Sequence, residues 1–207
     1  RLGISIPAAT LRNFWSMLSH YHGQVLNYSE LARSFGVSDM TVRRYIDILE
    51  GTYVLRVLKP WFNNTRKRLV RSPKIYLRDS GIFHGLQGIG TERELMSHNK
   101  LGASWEGFAL EETISVLKQG STGFYFWAAH ASAEIDLFFV RGGVNCGVEF
   151  KFQDAPSVSR SMKTAIRELE LHKLLVIYPG DKDFPLTESI EVLSLSGFRS
   201  RFSGSGQ

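Results

Sequence analysis

The sequence predicts a mixed α+β protein, in which an N-terminal winged helix-turn-helix is followed by a domain of order α-β-β-β-α-β-β. Apolar residues recur at helical spacing before residue 51 and alternate as in strands over much of the second half. Charge also differs between the halves. Residues 1–100 hold 15 Lys+Arg against 7 Asp+Glu, and residues 101–207 hold 10 against 13. The first half is therefore predicted to meet an anionic partner, and the second to be built around carboxylates.

The composition is that of a globular protein, with 43% hydrophobic and 22% charged residues. A single cysteine, Cys146, cannot form an intramolecular disulfide, and no apolar run reaches the roughly 20 residues that cross a bilayer. These features predict a cytoplasmic protein with no membrane partner. The chain begins without methionine in a sequence typical of the middle of a domain, so we expect a piece of a longer protein.

Three helices are predicted before residue 51. The first ends at Gly23, and the second begins after an Asn27 cap and ends at Gly36. The third begins after a Ser38 cap and ends at Gly51. The short glycine turn between the second and third helices is typical of a helix-turn-helix, whose second helix can enter the DNA major groove.

Two strand-like stretches, YVLRVLKP and PKIYLRD, follow the third helix and enclose the basic loop WFNNTRKRLVRS. This order predicts a winged helix whose third helix and basic loop contact phosphates. The predicted nucleic-acid-binding residues are Arg43, Arg44, Arg66, Lys67, Arg68, Arg71 and Lys74. The alternative is a winged helix that packs between domains, with its basic loop solvated or facing an acidic neighbour.

The sequence predicts four regions. The winged helix occupies residues 1–85, and residues 86–103 form a linker, because this stretch is rich in glycine and only weakly periodic. Residues 104–198 form the second domain, and residues 199–207 a flexible tail. No dinucleotide-binding or P-loop glycine motif occurs in the chain, so ATP is not expected to bind it.

The second domain begins with a helix in WEGFALEETISVLKQG, followed by strands in GFYFWA, AEIDLFFV and VNCGVEFKF. A helix in SVSRSMKTAIRELELHK and strands in LLVIYP and IEVLSL complete the predicted order. Side chains two residues apart on a strand share a face, so Glu149 and Lys151 are predicted to lie side by side. On the preceding strand, alternation predicts one face for Ile135, Leu137 and Phe139 and the other for Glu134 and Asp136.

Asp136, Glu149 and Lys151 converge if the strand register permits. Two carboxylates can hold Mg²⁺ or Mn²⁺ through hard oxygen ligands, and a lysine can orient or activate water for attack on a phosphodiester. The spacing matches the PD-(D/E)xK nuclease signature, in which Glu106 of the preceding helix adds an outer carboxylate. The predicted catalytic residues are therefore Asp136, Glu149, Lys151 and Glu106, with Asp136 and Glu149 as metal ligands. The alternative is a solvated ion pair between Glu149 and Lys151.

Several segments together resemble one known family. They include LARSFGVSDMTVRRYIDILE, KRLVRSPKIYLRDSGI, LGASWEGFALEE, and EIDLFF followed by EFKFQDAP. These segments are similar to the C-terminal region of prokaryotic AAA+-type ATPases that carry a domain of unknown function. The resemblance covers nearly the whole chain. It implies an ATP-binding module N-terminal to this sequence, a winged helix, and a restriction-endonuclease-like fold in the second domain.

Three functions stay open at this point. The first is a DNA-interacting C-terminal module of an AAA+-type ATPase, whose nuclease-like domain cleaves phosphodiesters with Mg²⁺ or Mn²⁺. The second is a non-catalytic scaffold module with a degenerate nuclease fold, and the third is DNA binding without cleavage. The expected partners are DNA and the ATPase module of the same protein, where any ATPase activity would reside. The sequence leaves oligomerisation open.

Overall fold

The computed structural model of the protein describes residues 6–62, 70–117, 123–129 and 133–203. These residues contain eight helices and nine strands, which agrees with the predicted mixed α+β class. The chain divides into two compact units. The first comprises Arg1–Val57 and Lys74–Ser104, and the second Leu58–Pro73 and Trp105–Gln207. The second unit thus includes residues 58–73, a stretch that the sequence prediction places in the first domain.

Helices predominate in the first half of the chain and strands in the second. The first half contains α1 (Ala8–His20), β1 (Gln24–Val25), α2 (Tyr28–Phe35), α3 (Asp39–Gly51), β2 (Leu55–Pro60), β3 (Lys74–Leu77), α4 (Ser80–Leu86) and α5 (Glu92–Ser97). The second half contains α6 (Leu101–Leu117), β4 (Phe124–Ala129), β5 (Ala133–Arg141), β6 (Val144–Phe150), α7 (Arg160–Glu168), β7 (Lys173–Tyr178), β8 (Phe184–Pro185), β9 (Ile190–Ser194) and α8 (Leu195–Phe202). No described helix is long and apolar enough to cross a membrane.

The turn between α2 and α3 forms as the capping residues predict. The Asn27 side chain accepts a hydrogen bond from the Glu30 amide at 3.2 Å, which begins α2. Gly36 ends that helix in the left-handed conformation, at φ 66°, which glycine adopts without strain. The Ser38 hydroxyl then accepts a hydrogen bond from the Thr41 amide at 3.2 Å and begins α3. Local sequence signals are therefore sufficient to fix this helix pair.

A buried histidine connects three segments of the first unit. The Nδ1 atom of His22 accepts a hydrogen bond from the Leu77 amide at 3.0 Å, so the ring proton lies on Nε2, which is 3.1 Å from the carbonyl oxygen of Ala103. The imidazole also stacks on Phe83, with ring centroids 4.1 Å apart. Burial lowers the pKa of His22 to about 4, because a charged ring would lose its hydration there.

The predicted linker, residues 86–103, contains helix α5 and the beginning of α6. Thr91 and Glu94 form a capping box at the start of α5: the Thr91 hydroxyl accepts from the Glu94 amide at 3.2 Å, and the Glu94 carboxylate accepts from the Thr91 amide at 3.0 Å. Helix α5 has no buried residue. Because a helix without a buried face has no apolar periodicity, the sequence pattern did not reveal it.

In the second unit, the described strands form a mixed sheet of order β2-β4-β5-β6-β7-β9-β8. Strand β5 is antiparallel to both of its neighbours, β4 and β6, whereas β6, β7 and β9 are parallel. Helix α7 packs on one face of this sheet through an apolar cluster that includes Ile135, Phe138, Met162 and Val176. The predicted order of the main helices and strands agrees with this arrangement, although the two-residue β8 and the final helix α8 are additional.

The predicted flexible tail, residues 199–207, begins inside helix α8. The Ser194 hydroxyl accepts a hydrogen bond from the Gly197 amide at 2.9 Å and caps the helix. Phe198 is fully buried, and Arg199 forms an ion pair with Glu112 of α6. Residues 199–202 are therefore helical, because a buried ring and an ion pair fix a segment whose polar composition suggests a tail.

The pH dependence of the free energy of unfolding should show the contribution of the buried His22. In the unfolded chain His22 titrates near 6.5, and in the folded chain near 4. The unfolded state therefore binds the proton first, and folding free energy is lost as the pH falls from 6.5 towards 4. The loss is about 3 kcal/mol for a shift of this size. Urea unfolding of the wild type and of His22→Gln at several pH values measures it.

The variant should be less stable at pH 7 but should lose less stability than the wild type over that pH range. Parallel pH curves for the two proteins would contradict this role of His22.

Candidate functional site

A β-bulge lies in β5 at the position of Asp136. Trp127 of β4 pairs with Ile135 of β5, whereas Tyr125 pairs with Phe138. Only one residue of β4 lies between these pairs, but two residues of β5 do, and Asp136 is one of them. A bulge of this kind increases the local twist, changes the direction of a side chain, and is common beside active sites.

The bulge interrupts the alternation that the sequence predicts for β5. The alternation rule separates Ile135 from Phe138, yet both belong to the apolar cluster under α7 and both are fully buried. The predicted grouping of Ile135 with Leu137 and Phe139 is therefore wrong. The physical reason is the extra residue, which shifts by one the facing of every side chain beyond it.

Asp136 is fixed between β5 and β6. The residue as a whole is only 7% exposed. Its carboxylate oxygen Oδ2 accepts a hydrogen bond from the Phe150 amide at 3.0 Å. The neighbouring pair in the ladder is Leu137 with Val148, so Asp136 lies beside Glu149. A backbone donor thus holds the Asp136 carboxylate in one orientation at the end of the β6 strand.

Glu149 and Lys151 form an ion pair, with 2.6 Å between Nζ and Oε1. Glu149 is 6% exposed, whereas 37% of the Lys151 side chain remains exposed. The backbone of Lys151 is also held, because its amide donates to the Ile177 carbonyl of β7 at 3.0 Å. The ammonium therefore lies at the boundary between the buried carboxylates and solvent.

All three predicted carboxylates affect the pKa of Lys151. Burial acts to lower the pKa of Lys151, but the charge and hydrogen bond of Glu149 and the charges of Asp136 and Glu106 act in the opposite direction. The net effect is a raised pKa. Glu106 lies in the first half of α6 and is half-buried. The structure thus brings Asp136, Glu149 and Lys151 together at the end of β6, and Glu106 of α6 acts electrostatically on the same ammonium.

The carboxylates suit a hard divalent cation. Within the described ranges, no group of three or more His, Cys, Asp or Glu side chains is arranged to hold a metal ion. Mg²⁺ does not need such a group, because proteins commonly bind it through one or two carboxylates together with water and substrate phosphate. Asp136 and Glu149 provide two such carboxylates on adjacent strands, so the donor set fits Mg²⁺ or Mn²⁺ with substrate completing the coordination.

Aromatic rings flank this cluster, and the sequence analysis did not select them. Trp105 directly precedes Glu106, and Phe152 directly follows Lys151. Their ring centroids are 6.2 Å apart. The sequence signal is the direct adjacency of an aromatic residue to a predicted catalytic residue in two separate segments.

The predicted nucleic-acid-binding residues do not share one environment. Arg66, Lys67 and Arg68 lie outside the described residues. Arg43, Arg44 and Arg71 are exposed, and the guanidinium of Arg43 lies 3.8 Å from the centre of the Tyr28 ring. Lys74 has a different environment. It lies within strand β3 and is only 3% exposed, so its burial does not favour the predicted phosphate contact.

Charges of both signs lie on the exposed surface of α3. Its exposed charged residues are Asp39, Arg43, Arg44, Asp47 and Glu50. The Asp39 carboxylate accepts a hydrogen bond from the Ser29 hydroxyl of α2 at 2.8 Å. The surface of this helix is therefore less basic than the sequence analysis assumes.

Comparison with known proteins divides the chain in two. Residues 1–93 match the family model described as "Domain of unknown function (DUF8612)", and residues 101–198 match "Domain of unknown function (DUF4143)". The chain contains two domains of unknown function.

Two curated relatives are similar over most of the chain. They are the "Uncharacterized protein Mb2031c" of Mycobacterium bovis (strain ATCC BAA-935 / AF2122/97) and the "Uncharacterized protein Rv2008c" of Mycobacterium tuberculosis (strain ATCC 25618 / H37Rv). Each is 47% identical over 190 residues, which covers 92% of this chain and 43% of the relative. The chain thus spans less than half the length of these relatives. No solved structure matches it.

Replacement of Glu149 by glutamine should lower the pKa of Lys151. Glu149 is the residue that raises the pKa of Lys151 most, and the substitution removes its charge. Burial, which favours the neutral amine, then lowers the pKa further than it does in the wild type. A ¹³C NMR titration of labelled lysine Cε groups measures the change. Lys163 of α7 is exposed and serves as the internal control. An unchanged Lys151 titration in the variant would show that the two side chains are not coupled.

Proposed function

We propose that the second unit hydrolyses phosphodiester bonds of nucleic acid with Mg²⁺ or Mn²⁺, as the C-terminal part of an AAA+-type ATPase. One observation supports this most strongly. The Lys151 ammonium contacts Glu149 at 2.6 Å and is influenced by the charges of Asp136 and Glu106. A lysine among three carboxylates, from three separate segments, matches the residue types and order of the PD-(D/E)xK signature. On this proposal the second unit has a restriction-endonuclease-like fold.

The ion pair with Glu149 suggests the role of Lys151. The carboxylate favours the charged form of the lysine and raises its pKa. On this proposal the ammonium acts as a hydrogen-bond donor and positive charge, which orient the attacking water and stabilise the negative charge that develops on the phosphate. Its partial exposure lets it reach a substrate that approaches from solvent.

The carboxylates have a complementary role. Asp136 and Glu149 would hold the divalent cation, which when bound supplies positive charge to the phosphate oxygens. The hydrogen bond from the Phe150 amide keeps Asp136 in place before substrate arrives. Glu106, which is half-buried on α6, would add a third carboxylate on the outer side of the cluster. Such preorganisation reduces the rearrangement that is needed when substrate binds.

In the first unit we propose a winged helix that contacts DNA. Helices α2 and α3, with the capped turn between them, have the order of a helix-turn-helix, and Arg43 and Arg44 are exposed on the second helix. The basic loop belongs to the second unit and is proposed as a separate phosphate contact, in which Arg71 is exposed. Arg66, Lys67 and Arg68 are the other proposed contacts of that loop.

The larger protein would supply the ATPase. The matched DUF4143 region is typical of a C-terminal module in ATPase-associated proteins, and the relatives extend well beyond the matched part. These two facts support an ATP-binding module elsewhere in the full-length protein. In such an arrangement, the units described above would act on a substrate that the ATPase moves or delivers.

A non-catalytic scaffold module is the second candidate. It is favoured by the mixed charge on the exposed surface of α3 and by the burial of Lys74, which both reduce the basic surface available to DNA. In this case the ion pair between Glu149 and Lys151 would serve only to neutralise a buried carboxylate.

Nicking of supercoiled plasmid tests the proposal. The purified chain should convert supercoiled to open-circular DNA in MgCl₂ or MnCl₂ and not in EDTA. Lys151→Ala should slow this by about a hundredfold or more, because one preorganised electrostatic contact to the transition state is lost. Asp136→Asn should be at least as damaging. Lys163→Ala is the matched control, since it removes an exposed lysine from α7, away from the cluster.

Equal nicking by Lys151→Ala and Lys163→Ala would remove the active-site assignment. If the wild type does not nick DNA, salt-dependent binding separates the remaining possibilities. Binding that weakens steeply as salt rises indicates a DNA-binding module, because phosphate contacts release counterions, and no binding at low salt indicates the scaffold.

A further inference from the structure

We infer that Trp105, Phe108 and Phe152 form an aromatic patch that stacks against unpaired nucleobases, so that the substrate of the second unit is single-stranded nucleic acid. This inference rests on the proposed function, because it names the substrate class of the same site.

The three rings form one contact group. The ring of Trp105 lies 6.0 Å from that of Phe108 and 6.2 Å from that of Phe152, measured between centroids. These separations lie in the range of direct aromatic contact. Trp105 and Phe108 are three residues apart on α6 and therefore share one side of that helix. The patch thus joins the start of α6 to the segment that follows β6.

The phenyl rings are open to solvent. Phe108 is 42% exposed and Phe152 is 38% exposed, which is unusual for large apolar side chains that could be buried in a core. The indole nitrogen of Trp105 is enclosed and has no hydrogen-bond acceptor within the described part of the chain. A smaller apolar residue would avoid this unfavourable N–H, so the broad ring of Trp105 is the feature that needs explaining.

The patch lies next to the candidate catalytic residues. Trp105 is bonded to Glu106, and Phe152 is bonded to Lys151. The two segments also interact through their charged residues, because Glu106 acts electrostatically on the Lys151 ammonium. A base on these rings would place its own or the adjacent phosphate on the segments that carry Lys151 and Glu106. Stacking on aromatic side chains is the usual way in which proteins hold single strands without reading their sequence. The charge of Lys151 and the rings together match the two parts of a nucleotide.

A protein partner fits the patch less well. Stable protein interfaces bury well over about 1,000 Å² and are built around a continuous apolar centre. In the described part of the second unit, the other exposed large apolar residues are Phe62, which follows β2, and Val140 and Val144, which lie at the β5–β6 turn, at the opposite end of β6 from Phe152. The aromatic patch is thus small and purely aromatic. Duplex DNA is excluded as its main ligand, because paired bases are stacked on each other and do not present their faces.

Fluorescence anisotropy with a short fluorescein-labelled oligothymidylate tests the inference, with a duplex of equal length as the comparison. Both are titrated with the whole 207-residue chain in CaCl₂, since Ca²⁺ also takes carboxylate oxygens. The wild type should bind the single strand, and the rings should contribute to that binding but not to binding of the duplex, which the proposed winged helix can also contact. The double variant Phe108→Ser with Phe152→Ser should bind the single strand at least about tenfold more weakly.

Two further variants separate stacking from folding and from general apolar surface. Phe108→Tyr with Phe152→Tyr keeps both rings and should retain the wild-type affinity. Val140→Ser with Val144→Ser removes apolar groups of similar exposure at the other end of β6 and should not change binding. Wild-type affinity for the single strand in the serine variant of the phenylalanines, or an equal loss of affinity for the duplex, would overturn the inference.

Cleavage of the labelled single strand in MgCl₂ or MnCl₂, measured beside the plasmid assay, distinguishes this inference from the proposed function. Ring-dependent binding of the single strand without any metal-dependent cleavage would support the inference and contradict the proposed hydrolysis. Cleavage that depends on Lys151 but is the same in the ring variants would support hydrolysis and overturn the inference.

Discussion

The constraint on which the candidate site depends is one extra residue in β5. Strand β5 keeps its register with β6 from Leu137 onwards while it shifts by one against β4. The core on the side of α7 can thus receive both Ile135 and Phe138, and Asp136 still lies beside Glu149. Without the bulge, strict alternation would place Ile135 and Phe138 on opposite faces of the strand. With the bulge, both residues are buried on the side of α7 while Asp136 stays beside Glu149.

Electrostatics then explains why a lysine lies at this place and why we propose a cation there. Two carboxylates, Asp136 and Glu149, are almost fully buried, and Glu106 acts on the same ammonium. Buried like charges repel strongly and favour protonation unless positive charge is near. Lys151 offsets part of this excess, and a divalent cation with its phosphate ligand would offset more. On the proposals above, the partly exposed ammonium would meet the phosphate of a nucleotide and the aromatic rings its base.

Features that depend on neighbours in sequence were predictable. The caps at Asn27 and Ser38 and the glycine at position 36 fix the α2–α3 pair through bonds that span three residues. The grouping of Glu149 with Lys151 also follows from strand periodicity alone. Helices α5 and α8 were missed because each is short and has at most one buried residue, which gives no periodic signal.

Features that depend on distant partners were not predictable. The bulge exists only in the pairing of β5 with β4, and the burial of Lys74 depends on what covers β3. Gly147 is a further example: a Cβ atom there would lie 2.8 Å from Leu171 and 3.1 Å from Leu174.

The central claim is that Asp136 and Glu149 hold one divalent cation beside Lys151. Anomalous diffraction from crystals of the chain grown with MnCl₂ is its most direct measurement. We expect one manganese peak that both Asp136 and Glu149 ligate, with Lys151 beside it. Full manganese occupancy elsewhere, or a carboxylate of Asp136 that points away from Glu149 and Lys151, would contradict the claim.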